Sequence, residues 1–269
     1  MGIGKIACTF IPNLTMKIAV KKLLPILFLI TLLTSCEEET PPPEFEDFHI
    51  DEVSTVNCNP EEENCAFISI HIPWAKNTND RNRTINNHIE QHVINLIDFQ
   101  EENNFGSLEA LSQNFIDNYE SSAKEFPEYD IPWEASVAGK ILTDSPELIS
   151  MEFRLAIFTG GAHGFSSTSY LNFNPETGET YVTGDLFTPG FTNYAERLFR
   201  EKNNIPEDQP INSTGYFFEG DSFSLPQNIG FHRNRVILRY NAYEVASYSE
   251  GGIQFEISKE EAEEYLKIF

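Results

Sequence analysis

Three runs decide the fold: ASVAGKIL (residues 135–142), LISMEFRLAIF (148–158) and SSTSYLNF (166–173). From Trp133 onward the apolar period changes from helical to alternating, so each run reads as a β-strand. Thr180–Val182 reads as a short fourth strand. Asn174-Pro175-Glu176-Thr177-Gly178 is a turn, in which proline presets φ and glycine supplies a positive φ.

Upstream the period is helical. Ile85, Ile89, Val93, Leu96 and Ile97 share one face of a helix over 83–99. Ser107 is an N-cap with Glu109 in the first turn. Leu108, Leu111, Phe115 and Tyr119 then line a second helix, which stops before Pro127. Both helices carry wide apolar stripes, so they are expected to cover strands drawn from 135–182. Earlier still, 48–56 and 66–72 read as strands. Downstream, 192–202 reads as a helix and 203–215 as a polar loop. Strands follow at 236–240 and 253–257. Ser258 with Glu261 forms a capping box for a last helix. Helices first and strands later, with hairpin-length connections, predict an α+β fold. Its sheets should be mostly antiparallel and covered by helices, with all parts packed as one unit.

The start of the chain speaks of place. Lys17, Lys21 and Lys22 precede an apolar run from Leu23 to Leu33, which ends at Leu33-Thr34-Ser35-Cys36. A basic start, a short apolar middle and a small residue at the cut describe a secretory signal over 1–35. Met16 opens a more typical signal than Met1. The cut site resembles a bacterial lipobox, which would make Cys36 a lipidated first residue. An ordinary signal with a chance cysteine is the alternative. Residues 36–47, with Glu37-Glu38-Glu39 and Pro41-Pro42-Pro43, read as an extended acidic tether. The three glutamates also resemble a surface-export signal. The expected location is the cell envelope, lipid-anchored at the outer membrane and exposed at the surface.

Four of the 18 basic residues precede Cys36, leaving 14 against 42 acids, a net charge of −28. Such a surface argues against nucleic acid as a partner. It favours cationic partners, or it serves solubility alone. Cys58 and Cys65 remain after Cys36 is anchored. Their spacing is long for a zinc pair. In an exported protein, two cysteines flanking a turn-rich loop read as a disulfide. It would staple the hairpin made by the first two strands.

The order of motifs resembles a known pair of modules. Ile85-Asn86 opens the first helix, and Phe158-Thr159-Gly160-Gly161-Ala162-His163-Gly164 lies between two strands. Asn172-Phe173-Asn174 and Gly184-Asp185-Leu186-Phe187 follow, then Tyr240 to Tyr243, Tyr248 and Gly251-Gly252. On these motifs, residues 48–165 resemble the non-catalytic region of PdaC-type peptidoglycan deacetylases. Residues 166–269 resemble the ectodomain of RsiV-type anti-sigma factors. The first resemblance implies no deacetylase chemistry, which belongs to a separate domain whose Asp-Asp and paired-histidine motifs are not recognisable here. The second implies a module that senses lysozyme in one relative. Its signalling role is not expected to carry over, for want of room for a cytosolic region before Cys36.

Candidate sites are few. Gly160, Gly161 and Gly164 surround His163, and this loop reads either as a recognition surface or as a glycine-rich strand connection. Tyr240, Tyr243 and Tyr248, with Glu244, Glu250 and Gly251, suit a protein interface or an exposed strand edge. His88 and His92 stand one helical turn apart, but no third ligand is evident and no metal or cofactor is expected. No nucleophile elbow is present. The function class expected is an envelope binding module, for a cationic protein such as lysozyme or for cell-wall glycan. The alternative is an envelope hydrolase using carboxylates and His163.

Overall fold

Alternation over 134–173 builds three consecutive antiparallel strands, β3 (Glu134–Asp144), β4 (Ile149–Phe158) and β5 (Phe165–Phe173). The computed structural model describes residues 41–59, 64–98, 105–128 and 131–269. Cys36, the signal before it and Glu37-Glu38-Glu39 lie outside the described residues. In the β3–β4 ladder, Val137 faces Leu155 and Gly139 faces Phe153, and a bulge falls between Ile141 and Thr143. Ile149, Met151, Phe153 and Leu155 point to one face and are fully buried.

The first two strands, β1 (Phe45–Val53) and β2 (Phe67–Ala75), form the expected antiparallel hairpin. Cys58 and Cys65 are disulfide-bonded across its connection, with Cα atoms 4.4 Å apart. β2 then pairs in parallel with β3. A parallel neighbour requires a crossover, and α1 (Asp80–Ile97) and α2 (Leu108–Glu125) supply it. Asn79 caps α1 by accepting from the Asn82 N–H, and Ser107 caps α2 by accepting from the Ala110 N–H. Ile85, Ile89 and Val93 of α1, and Leu111, Phe115 and Ile116 of α2, bury themselves against Ile68, Ile70, Val137 and Phe153. The helices thus cover one face of a five-stranded sheet in the order β1-β2-β3-β4-β5.

Beyond β5 the expected strand at 180–182 is not formed. Thr180 makes only an isolated bridge to Phe173. The Asp185 carboxylate accepts from the Val182 N–H and turns the chain into α3 (Thr183–Leu186). α4 (Gly190–Lys202) follows. The second sheet holds β6 (Asn228–His232), β7 (Arg235–Tyr240) and β8 (Ile253–Ser258), all antiparallel. Phe191, Ala195 and Phe199 of α4 pack on Val236, Leu238 and Phe255. The Ser258–Glu261 capping box starts α5 (Lys259–Ala262). The fold is α+β, and all described residues fall in one compact unit.

What joins the two sheets is polar. Ser150 Oγ accepts from the Phe231 N–H at 3.0 Å, and Thr143 Oγ1 donates to the Phe231 carbonyl at 2.7 Å. Asn172 Nδ2 donates to the Ile229 carbonyl at 2.7 Å. Side chains of the first sheet thereby satisfy backbone groups of β6 that no further strand pairs, as buried peptide groups demand. Asn241 does the reverse for β5: its amide accepts from the Thr168 N–H and donates to the Thr168 carbonyl, at 2.9 and 3.0 Å. Gly230 lies against the Tyr170 ring so closely that a Cβ would sit 2.4 Å from Tyr170 Cδ1.

Candidate functional site

The two stretches singled out by composition, 160–164 and 243–251, meet at one end of this joint. Gly160 and Gly161 take φ of 88° and 99°, a left-handed pair that only glycine adopts without strain. They swing the β4–β5 connection outward. His163 Nδ1 donates to the Gly164 carbonyl at 3.0 Å, which fixes the ring. Tyr248 donates its hydroxyl to that same carbonyl at 3.4 Å. The His163 and Tyr248 rings stack at 4.7 Å between centroids, and Tyr248 stacks in turn on Tyr243 at 5.3 Å.

The result is a three-ring ladder, His163–Tyr248–Tyr243, on the protein surface. Tyr243 is 56% exposed and Tyr248 41%. Each ring is held by backbone geometry. Tyr248 opens a single 3-10 turn that Gly251 ends at φ 68°, with the Gly251 N–H donating to the Tyr248 carbonyl. Tyr243 has φ 70°, in the left-handed region that bulky residues avoid. The turn carrying it is anchored by Asn241 on Thr168, described above. Glu244 accepts from the Asn228 and Asn241 side chains, and burial raises its carboxyl above the usual range.

Beside His163 a groove of about 370 Å³ opens toward the helices. Phe105, Phe115, Trp133 and Phe165 line it, with Asn114, Asn118 and Thr159. These residues escaped the sequence reading because Phe115 and its neighbours look like an ordinary helix stripe.

The two histidines of α1 take separate partners. His88 meets Glu179 at 3.1 Å on the surface. The His92 ring turns inward, hydrogen-bonded to Ser169 Oγ at 2.7 Å and edge-on to Phe153. Burial pushes its pKa down to about 4. Among the described residues, no group of three His, Cys, Asp or Glu is placed to hold a metal. No described helix is long and apolar enough to cross a membrane.

His163 meets a tyrosine ring and a peptide carbonyl. On the outer face of β1–β2, Asp51 accepts from Ser69 Oγ at 2.7 Å and contacts His71 Nε2 at 3.1 Å. The carboxylate sits between the other two groups, so Ser69 and His71 each bond Asp51 and not one another.

Comparisons with known proteins agree with this architecture. Residues 60–166 match the family model described as deacetylase PdaC, and residues 184–260 match a protein family of unknown function, DUF3298. A DUF3298 family protein of Pseudomonas aeruginosa PAO1 is similar in structure, with TM-score 0.62 and 20% identity over 84% of this chain and 95% of that one. A DUF3298 family member from Bacteroides fragilis NCTC 9343 also has TM-score 0.62, with 15% identity over 83% of this chain and 93% of that one. At such identities the likeness speaks to fold alone. No curated protein matches the chain. The chain therefore joins a part similar to the PdaC family to a part similar to the DUF3298 family, in that order.

Proposed function

We propose that this protein is a cell-envelope binding module, anchored through a lipid on Cys36, whose His163–Tyr248–Tyr243 ladder receives a cationic protein such as a lysozyme. The observation that carries the reading is Tyr243. A tyrosine in left-handed backbone costs about 1 kcal/mol that glycine or asparagine would avoid. Here its ring is not buried in exchange, being 56% exposed and stacked only on Tyr248. Backbone strain spent on holding an aromatic ring outward suits a binding surface.

Charge supports the partner class. A chain of −28 after Cys36 attracts a cationic protein from a distance and speeds encounter. Glu250, on the Tyr248 turn, adds charge beside the ladder. The acidic tether would hold the module off an outer membrane, at the surface where such a partner arrives.

Titration calorimetry with a c-type lysozyme tests the proposal. Binding should be measurable at about 20 mM salt and weaken at least tenfold by about 300 mM, as the Debye length shrinks below the charge separation. His163→Ala should weaken it further at fixed salt. Affinity indifferent to salt, or no binding at low salt, would overturn the partner assignment. Turnover of a glycan or ester abolished by one carboxylate substitution would favour the hydrolase alternative instead.

A further inference from the structure

The groove beside the ladder is built for a different occupant. Its size falls within the range of small-ligand sites. Five phenylalanine and tryptophan residues contribute to its walls: Phe105, Phe115, Trp133, Phe158 and Phe165. Trp133 is held edge-on to Phe115 at 5.9 Å and tilted to Tyr119 at 6.1 Å, so it is a fixed wall. The polar groups are the Asn114 and Asn118 amides, the Thr159 hydroxyl, His163 and one carboxylate, Asp98, which can accept from a sugar hydroxyl. Asn118 Nδ2 donates to Asn114 Oδ1 at 2.9 Å, one turn apart on α2. That bond orients both amides and leaves the Asn114 NH2 and the Asn118 carbonyl as an adjacent donor and acceptor. No lysine or arginine lines the groove. Gly160 lines the groove as well, with space for a Cβ that would stand 4.0 Å from Trp133 Nε1.

We infer that this groove binds a neutral sugar ring of a glycan. Aromatic walls match the C–H face of a pyranose. The amide pair matches a hydroxyl or acetamido group, which both donates and accepts. An anionic ligand would find no cation in the lining, and a wholly apolar one would leave the two amides unpaired. His163 belongs to both the groove and the ladder, so a glycan bound here would lie beside the proposed protein-binding face. The inference does not depend on the lysozyme reading, because it rests on other residues.

Triacetylchitotriose is the probe, with cellotriose as a second neutral sugar and inorganic phosphate as the anion arm, each titrated calorimetrically into the soluble chain from residue 41. That chain contains the whole compact described unit. A neutral sugar should bind saturably, with Kd between about 10 µM and 5 mM. Affinity should hold within about twofold from low to high salt, since the sugar itself carries no charge. Asn118 is exposed, so Asn118→Ala should leave the melting temperature unchanged while weakening binding about fivefold or more. Trp133→Phe is the second variant, read by loss of the binding-linked fluorescence change in a Trp74→Phe background. Saturable binding of phosphate alone would overturn the inference. So would absence of binding by either sugar up to about 10 mM, or equal affinity in Asn118→Ala. Salt dependence separates the two readings: failure of the lysozyme reading leaves salt-independent sugar binding intact, and failure of the sugar reading leaves salt-sensitive lysozyme binding intact.

Discussion

Gly230→Ala probes the joint between the sheets. An added Cβ would stand 2.4, 2.7 and 2.9 Å from Cδ1, Cε1 and Cγ of Tyr170. Normal contact begins near ~3.4 Å, so ring or strand must yield by about 1 Å in a close-packed site. The Tyr170 ring has little room, being buried with its hydroxyl 3.5 Å from the Glu152 carboxylate. Overpacking of this kind costs about 1–3 kcal/mol. Gly230 has no positive φ, so alanine suits the backbone and returns about 0.5 kcal/mol. The net expectation is a loss of about 1.5 kcal/mol, or roughly 3–6 °C in Tm. Urea denaturation and calorimetry measure it. Tyr170→Ala is itself destabilising, by about 3–5 kcal/mol. Because it removes the obstacle, Gly230→Ala in that background should cost nothing further. A Gly230→Ala protein as stable as the parent, or strictly additive losses, would refute the packing account of the joint.

Three other outcomes follow from the same contacts. Asn241→Ala removes both hydrogen bonds to the nearly buried Thr168 backbone and should cost about 2–4 kcal/mol in urea denaturation; a loss below about 0.5 kcal/mol contradicts its bridging role. His92 stays neutral when folded down to about pH 4, whereas the unfolded chain protonates near 6.5, so its contribution is full above pH 6.5 and is lost as pH falls toward 4. The loss is at most about 3 kcal/mol, and His92→Gln should flatten that part of the urea-midpoint profile; an unchanged slope tells against burial as its cause. Replacing Cys58 and Cys65 together by serine opens a small loop and should cost about 2 kcal/mol, while non-reducing peptide mapping of the parent should find the two joined.

The parts of the fold legible in the sequence were those set by periodicity. Alternation in 148–158 and the stripe Ile85–Ile89–Val93 each imply a buried face, and both faces are buried against one another. The stapled hairpin was legible from the signal-like start of the chain and the composition of the loop. The joint was not. β6 has five residues, Asn228–His232, with a glycine at its centre and only two apolar side chains, Ile229 and Phe231, too few to mark a strand. Its backbone is satisfied by Ser150 and Asn172, polar residues that alternation assigns to the solvent side, and by Thr143, which the β3 bulge turns to that side. Glu152 likewise lies on that side yet is buried, paired with Lys140 at 3.0 Å and Arg154 at 2.7 Å. A second sheet covering that side inverts the rule, and only tertiary structure reveals it. The expected strand at 180–182 failed for a related reason: the Asp185 side chain takes the Val182 N–H that a ladder would have used. For the site, the glycine loop and the tyrosine stretch were each visible as composition. Their meeting, Tyr248 on Gly164, spans 84 residues and leaves no local mark.

Tyr243→Gly tests the central claim most directly, because it should move stability and binding in opposite directions. Glycine relieves the left-handed strain at φ 70°, so the variant should be as stable as the parent or up to about 1 kcal/mol more stable. It removes the outer ring of the ladder, so its affinity for lysozyme at low salt should fall about tenfold or more, a loss of about 1.4 kcal/mol. A Tyr243→Gly protein that binds lysozyme as tightly as the parent would contradict the claim that this ring is held outward for a partner.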